Sequence, residues 1–312
     1  MGDAPDLSTE LCGIPLEHPI LNGSGTFDAI ASQRAFGERH ELPFSAFVSK
    51  TITPEPRAGN PPPRLYEAPA GMINSIGLPN KGVLGFLEHD LPALARLEVP
   101  LVVSVMAPSR EGFEHLVERV GGRAEVAAIE LNVSCPNVKS GLIVGEQPAE
   151  TLALCEALRV LTEKPLIVKL TPNIADPVPV ALAAADGGAD AVSLINTLRA
   201  AALAPGRAEP WLGAGSGGLS GPAIRAVALD QVRRVAAAVE IPVIGMGGIE
   251  SGTDALDFLS LGATAVAVGT ASFRDPAAAA RIRAELAAEL ASRGLSGLPG
   301  SAAAEGLPST ST

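Results

Sequence analysis

The sequence has 312 residues, 47% of them hydrophobic, and a formal net charge of −11. That length suits one large α/β barrel or two ordinary domains, with ample apolar material for a core. The acidic balance, without any basic cluster, argues against nucleic acid or an anionic membrane surface as a partner.

No stretch reaches the ~18 apolar residues that a membrane span needs. The first residues, MGDAPDLSTE, are acidic and are not expected to be a signal peptide. The cysteines are Cys12, Cys135 and Cys155, which make neither a disulfide framework nor a zinc spacing. No metal site is expected. Reduced thiols in a cytoplasmic protein are the simplest account.

In chain order, residues 7–17 suggest a short strand pair or cap. Residues 19–25, PILNGSG, form an apolar strand running into small loop residues, and 29–36 a helix. The second strand is 46–53, AFVSKTIT. The proline-rich stretch 53–80 is too long for an ordinary connection and is expected to be a lid or a site-building loop. Strand and helix patterns then alternate: helix 84–97, strand 101–107, helix 111–120, strand 126–133, helix 148–161, strand 166–171, helix 176–185 and strand 191–196. A second long loop, 197–220, carries the single tryptophan, Trp211. Helix 222–238, strand 241–246, helix 251–261, strand 264–268 and helix 276–293 follow.

Eight nearly continuous apolar strands, each followed by a helix, imply a parallel sheet closed into a (β/α)8 TIM barrel with long loops at its C-terminal face. One domain is expected over 1–294, and the tail 295–312, rich in Gly, Pro, Ser and Ala, is expected to be disordered. An open doubly wound sheet is the other possibility, but no glycine-rich dinucleotide fingerprint follows the first strand.

In such a barrel the chemistry sits at the C-terminal strand ends. The first end offers Asn22 and Ser24, the second Ser49, Lys50 and Thr51, and the third Ser104. The fifth offers Lys169, and the sixth Asn196 and Thr197. Lysines buried at the ends of apolar strands suggest an anionic or electron-rich ligand. The fourth end is the centre of the chain. There AAIEL turns abruptly polar, with Asn132, Ser134, Cys135 and Asn137 within a few positions. A thiol between carboxamides that both donate and accept hydrogen bonds suits a polar, planar ligand. A buried, merely structural Cys remains the alternative. GMGGIESG and AVGTAS end the seventh and eighth strands with Gly247, Gly248, Gly269 and Thr270. Bare N–H groups before a helix there can hold a phosphate.

NGSGTF, SKTIT, NSIGLPN, ELNVSCPNVKSG, VKLTPN, NTL, GGLSGPAIR, GMGGI and VGTA occur together and in order. Through this set the chain resembles the class 1 dihydroorotate dehydrogenases, and among them the 1B type. The resemblance implies an FMN-binding barrel that oxidises (S)-dihydroorotate to orotate in pyrimidine synthesis. It implies FMN contacts at Ser24, Lys50, Thr51, Asn132, Lys169, Ile195, Gly221, Gly247, Gly248, Gly269 and Thr270. It implies substrate contacts at Lys50, Asn74, Ser75, Ile76, Gly77, Leu78, Asn132, Asn137, Asn196 and Thr197. The implied catalytic groups are Cys135, as base, and Lys50, which would stabilise negative charge. A homodimer is implied, and so is a second subunit carrying FAD and a 2Fe–2S cluster that passes electrons to NAD. Two departures stand out: Ser104 where the family usually has Asn, and Ala200, Ala201 and Ala202 where it usually continues Gly-Met-Ala. The alternatives are another FMN barrel acting on a dihydropyrimidine, a flavin-free aldolase or isomerase using Lys169, and a barrel that binds ligand without turnover.

Overall fold

The computed structural model describes residues 4–37, 42–134 and 144–299. Eight strands form one sheet: β1 (Ile20–Asn22), β2 (Phe47–Val48), β3 (Leu101–Val105), β4 (Ala128–Asn132), β5 (Leu166–Lys169), β6 (Ala191–Leu194), β7 (Val243–Met246) and β8 (Ala265–Val268). Their order is β1-β8-β7-β6-β5-β4-β3-β2, and every pairing is parallel. Both faces of the strands are buried, as a parallel sheet under helices requires.

The two end strands meet through a bridge between Leu21 and Ala46. Asn22 completes this seam: its Nδ2 donates to Val48 O, and its Oδ1 accepts from Val48 N–H, each at 2.8 Å. Sequence reasoning offered Asn22 to the site. The fully buried carboxamide instead replaces ladder bonds that the short strand β2 cannot make.

The helices follow from capping and apolar spacing. Ser109 accepts Gly112 N–H to start Arg110–Gly121, which turns Phe113, Leu116, Val117 and Val120 inward. Burying each such side chain contributes about 1.5–3 kcal/mol. The helix expected over 84–97 is a continuous helical run in three pieces: Gly82–Gly85, the wider π turn Phe86–Asp90, and Leu91–Leu94.

The N-terminal mouth is plugged by a hairpin, Thr9–Leu11 against Ile14–Leu16. Leu11 and Leu16 join Leu21, Val102, Ile167 and Ile244 in the inner core. The tail expected to start at 295 begins with residues held in place: Asp6 N–H donates to Ser296 O, and Asp6 bridges Gly297.

Over the opposite mouth the two long loops pair with each other. Leu65–Ala68, Gly71–Asn74, Gly217–Ser220 and Leu198–Ala200 make a four-stranded antiparallel sheet. Sequence reasoning expected a lid here but no strands. The glycines explain the omission, because they weaken a strand pattern yet allow close approach. A Cβ on Gly218 would lie 1.9 Å from Thr197 Oγ1.

Candidate active site

Between the strand ends and this lid lies a cavity of about 810 Å³. Of the residues singled out from sequence, Ser24, Lys50, Thr51, Asn74, Ile76, Leu78, Asn132, Lys169, Ile195, Asn196, Thr197, Gly221, Gly247, Gly248, Gly269 and Thr270 line it. Ser75 and Gly77 do not. Ser75 Oγ accepts from Asn60 Nδ2 at 3.0 Å, and a Cβ on Gly77 would strike Asn60 N at 2.5 Å. These two positions pack the loop so that their neighbours face inward. Cys135 and Asn137 lie outside the described residues.

Each strand register delivers a polar group. Asn132 pairs with Lys169 across β4 and β5, and Lys169 with Ser193 across β5 and β6. Asn132 Oδ1 accepts from Ser134 Oγ, which accepts from Asn196 Nδ2 at 2.6 Å. Asn196 Oδ1 in turn accepts Thr197 N–H at 2.8 Å. Three carboxamides, Asn74, Asn132 and Asn196, thus border one space with donors and acceptors on short elements.

The lysines differ. Lys169 is 6% exposed, and its Nζ lies 3.4 Å from Ser24 Oγ. Lys50 is exposed, which corrects the expectation of two buried lysines. It stands beyond the end of the two-residue strand β2, so its side chain reaches the open cavity and not the barrel wall.

Beneath the cavity lies a network that sequence reasoning missed. Glu130 Oε1 accepts from Ser104 Oγ at 2.9 Å, and its Oε2 from Ser193 Oγ at 3.3 Å. Ser104 Oγ lies 2.9 Å from Thr51 Oγ1, and Thr51 lies 3.5 Å from Ser24. Lys169 Nζ stands 4.0 Å from Glu130 Oε1. Ser104, which departs from the family's Asn, is fully buried and joins Thr51 to Glu130. The signal was present in AAIEL, a glutamate inside an apolar strand, where burial demands a partner. Thr171, Asn173 and Arg199 also line the cavity and were not foreseen.

The glycine cradle sits at the far end. Gly221, Gly247 and Gly248 have φ of 91°, 129° and 77°. A Cβ on Gly248 would lie 2.8 Å from Arg225 Cβ and 2.9 Å from Gly221 O. Only glycine lets these two loops touch while leaving backbone N–H groups free for an anion.

The family profile described as "Dihydroorotate dehydrogenase" matches residues 6–290. A Geobacter metallireducens protein named "Dihydroorotate dehydrogenase B (NAD(+)), catalytic subunit" is 46% identical over 292 residues, 93% of this chain and 95% of that protein. A protein of the same name from Desulforudis audaxviator is 47% identical over 292 residues, 91% of this chain and 92% of its own length. Among solved structures, that of an Eimeria tenella DHODH in complex with ferulenol superposes with a TM-score of 0.75 at 25% identity, covering 94% of this chain and 86% of that one. On sequence and on fold alike, this chain belongs to the dihydroorotate dehydrogenase family.

Proposed function

We propose that the chain oxidises (S)-dihydroorotate to orotate in pyrimidine biosynthesis, with FMN as its flavin. The observation that carries this reading is the convergence of Asn74, Asn132 and Asn196 on one cavity, beside two lysines and a glycine cradle. The family is flavin-dependent, and the residues present fit such a group. Lys169 and Lys50 would stand beside its electron-rich ring system, and the Gly221, Gly247, Gly248 and Gly269 backbones would hold its phosphate end.

A bound flavin supplies the acceptor for the hydride. The chain's own residues do the rest. Asn74, Asn132 and Asn196, with Asn137 and Thr197, hold a planar ring that alternates donors and acceptors. A site built of such pairs rejects analogues that leave a buried group unpaired. Ile76 and Leu78 exclude water from one side. Cys135, three residues beyond Asn132, takes the proton from the carbon next to the ring carbonyl. Lys50 and Lys169 offset the negative charge that develops as that proton leaves.

The relatives' name, a catalytic subunit linked to NAD, supports a partner subunit. We assign to that partner the FAD and the 2Fe–2S cluster, and we propose a homodimer of this chain at the core of a cytoplasmic enzyme. No helix among the described residues is long and apolar enough to cross a membrane.

The test is the absorbance spectrum of purified protein, recorded without oxygen before and after adding dihydroorotate. A flavin spectrum that bleaches is expected. A colourless protein that takes up no FMN, or a flavin spectrum that dihydroorotate leaves unchanged, refutes the reading.

A further inference from the structure

Glu130 and Lys169 are the buried carboxylate and the buried ammonium among the described residues, at 3% and 6% exposure. Glu130 lies on β4 two residues before Asn132, so both side chains point into the barrel. Yet Glu130 does not line the cavity. It sits one layer below, and it is tied on both oxygens by serines, one from the adjacent strand and one from the strand beyond β5. Ser104 comes from β3 and Ser193 from β6. Ser193 is itself in register with Lys169.

The spacing decides what this carboxylate can do. At 4.0 Å from Lys169 Nζ it is too far for a strong hydrogen bond but close enough to act as counter-charge. The Lys169 ammonium is thereby left with donors aimed upward. One reaches Ser24 Oγ at 3.4 Å, on the cavity wall. A full salt bridge would have drawn those donors down into the barrel. A buried ammonium without any counter-charge would be strongly disfavoured. Holding the carboxylate back with two hydroxyls avoids both outcomes.

We propose that Glu130 is a positioning residue for Lys169, held by Ser104 and Ser193 so that Lys169 presents its ammonium to the cavity. This rests on the flavin reading above. It also gives Ser104 a role: a hydroxyl there serves the carboxylate below the cavity floor and not the ligand above it.

The test uses the full chain and its Glu130→Gln, Lys169→Met and double variants. FMN binding is measured by fluorescence quenching, and the bound flavin's reduction potential by dye equilibration. Wild type that takes up no FMN defeats the underlying reading. With wild type loaded, Glu130→Gln is expected to weaken FMN binding about ten- to hundredfold, the scale of one charge-assisted hydrogen bond, and to shift the potential. The double variant should bind FMN no more weakly than Lys169→Met alone, because Glu130 acts only through Lys169. An unchanged affinity and potential in Glu130→Gln overturns the proposal. So do losses that simply multiply in the double variant. If Glu130→Gln fails to fold, Glu130→Asp keeps the charge but withdraws it by one methylene. It should then show a smaller shift of the same sign, and wild-type values in it also overturn the proposal.

Discussion

A single methyl group placed on Gly248 tests the phosphate cradle with little else disturbed. Gly248 has φ of 77°, so any L-residue there carries strain of about 1–2 kcal/mol. Gly13, in the hairpin at the opposite mouth, has φ of 78°, and a Cβ there would meet nothing within 4 Å. Gly13→Ala therefore measures the backbone strain alone. Gly248→Ala adds a wedge, with its Cβ 2.8 Å from Arg225 Cβ, 2.9 Å from Gly221 O and 3.1 Å from Pro222 Cα. Two of those atoms are backbone, so the loop at 221–222 must move by several tenths of an ångström. Losing alignment of one or two N–H groups on a phosphate costs roughly 1.5–3 kcal/mol each, or at least about tenfold in affinity. The assay is titration of flavin-stripped protein with FMN, alongside thermal denaturation. Gly13→Ala should lose about 1–2 kcal/mol of stability, Gly248→Ala about 1–3 kcal/mol more because of its wedge, and only Gly248→Ala should lose FMN affinity. Wild-type FMN affinity in Gly248→Ala would refute the placement of the phosphate at these glycines.

Three further outcomes are expected. Burial, and secondarily Arg283, push the His18 imidazole down to about 4, and its Nδ1 accepts Ile20 N–H at 3.3 Å. The unfolded chain, titrating near 6.5, binds more protons than the native one between those values, so stability is full above pH ~6.5 and declines by roughly 2 kcal/mol as pH falls toward 4. Urea midpoints at pH 7 and 5 check this, and His18→Gln should flatten the difference. Burial above all holds the Cys12 and Cys155 thiols up to about 12, so iodoacetamide at neutral pH should modify Cys135 first. Cys135→Ser should lose that label, keep FMN and oxidise dihydroorotate ~100- to 10,000-fold more slowly. Finally, the isolated chain should pass electrons readily to a small dye but poorly to NAD or fumarate. Fast NAD reduction by this chain alone would remove the need for a partner carrier.

The barrel was legible because its strands are apolar on both faces and its helices carry spaced apolar residues. These signals are local. The glycine cradle was legible for the same reason, since GMGGI and AVGT each sit directly at a strand end. What escaped depends on distance in the chain. Asn22 reads as a ligand-type residue at a strand end. Only the folded seam shows that it serves β2, 26 positions on. Ser75 sits in a motif whose neighbours face the cavity, yet it turns to Asn60, 15 positions away. The network of Ser104, Glu130 and Ser193 draws on three strands; a glutamate within AAIEL calls for a partner, but nothing local in the sequence says that serines 26 and 63 positions away supply it.

The lid shows why long-range pairing matters to the chemistry. Leu65–Ala68 and Gly71–Asn74 form a hairpin that on its own would be marginal in water. Gly217–Ser220 pairs with Gly71–Asn74, and the join is sealed by a small core of Ile73, Ala202 and Leu212. Tyr66 and Trp211, one from each loop, meet edge to face at 6.3 Å, and Trp211 Nε1 donates to Leu65 O. Neither loop completes its backbone hydrogen bonds without the other, so the two order together. Their joint product is a fixed spacing between Asn74, on one loop, and Asn196 and Thr197, where the other begins. On the function proposed above, carboxamides that match a rigid ring on several edges need that spacing held to a fraction of an ångström. A lid made from one loop could close over the cavity, but it could not measure the ligand from two sides. The alanines at 200–202 fit this division of labour. Ala202, which matches the family, belongs to the lid's own core; of the two departing residues Ala200 packs against that core and Ala201 is exposed, so the departure leaves the cavity wall untouched.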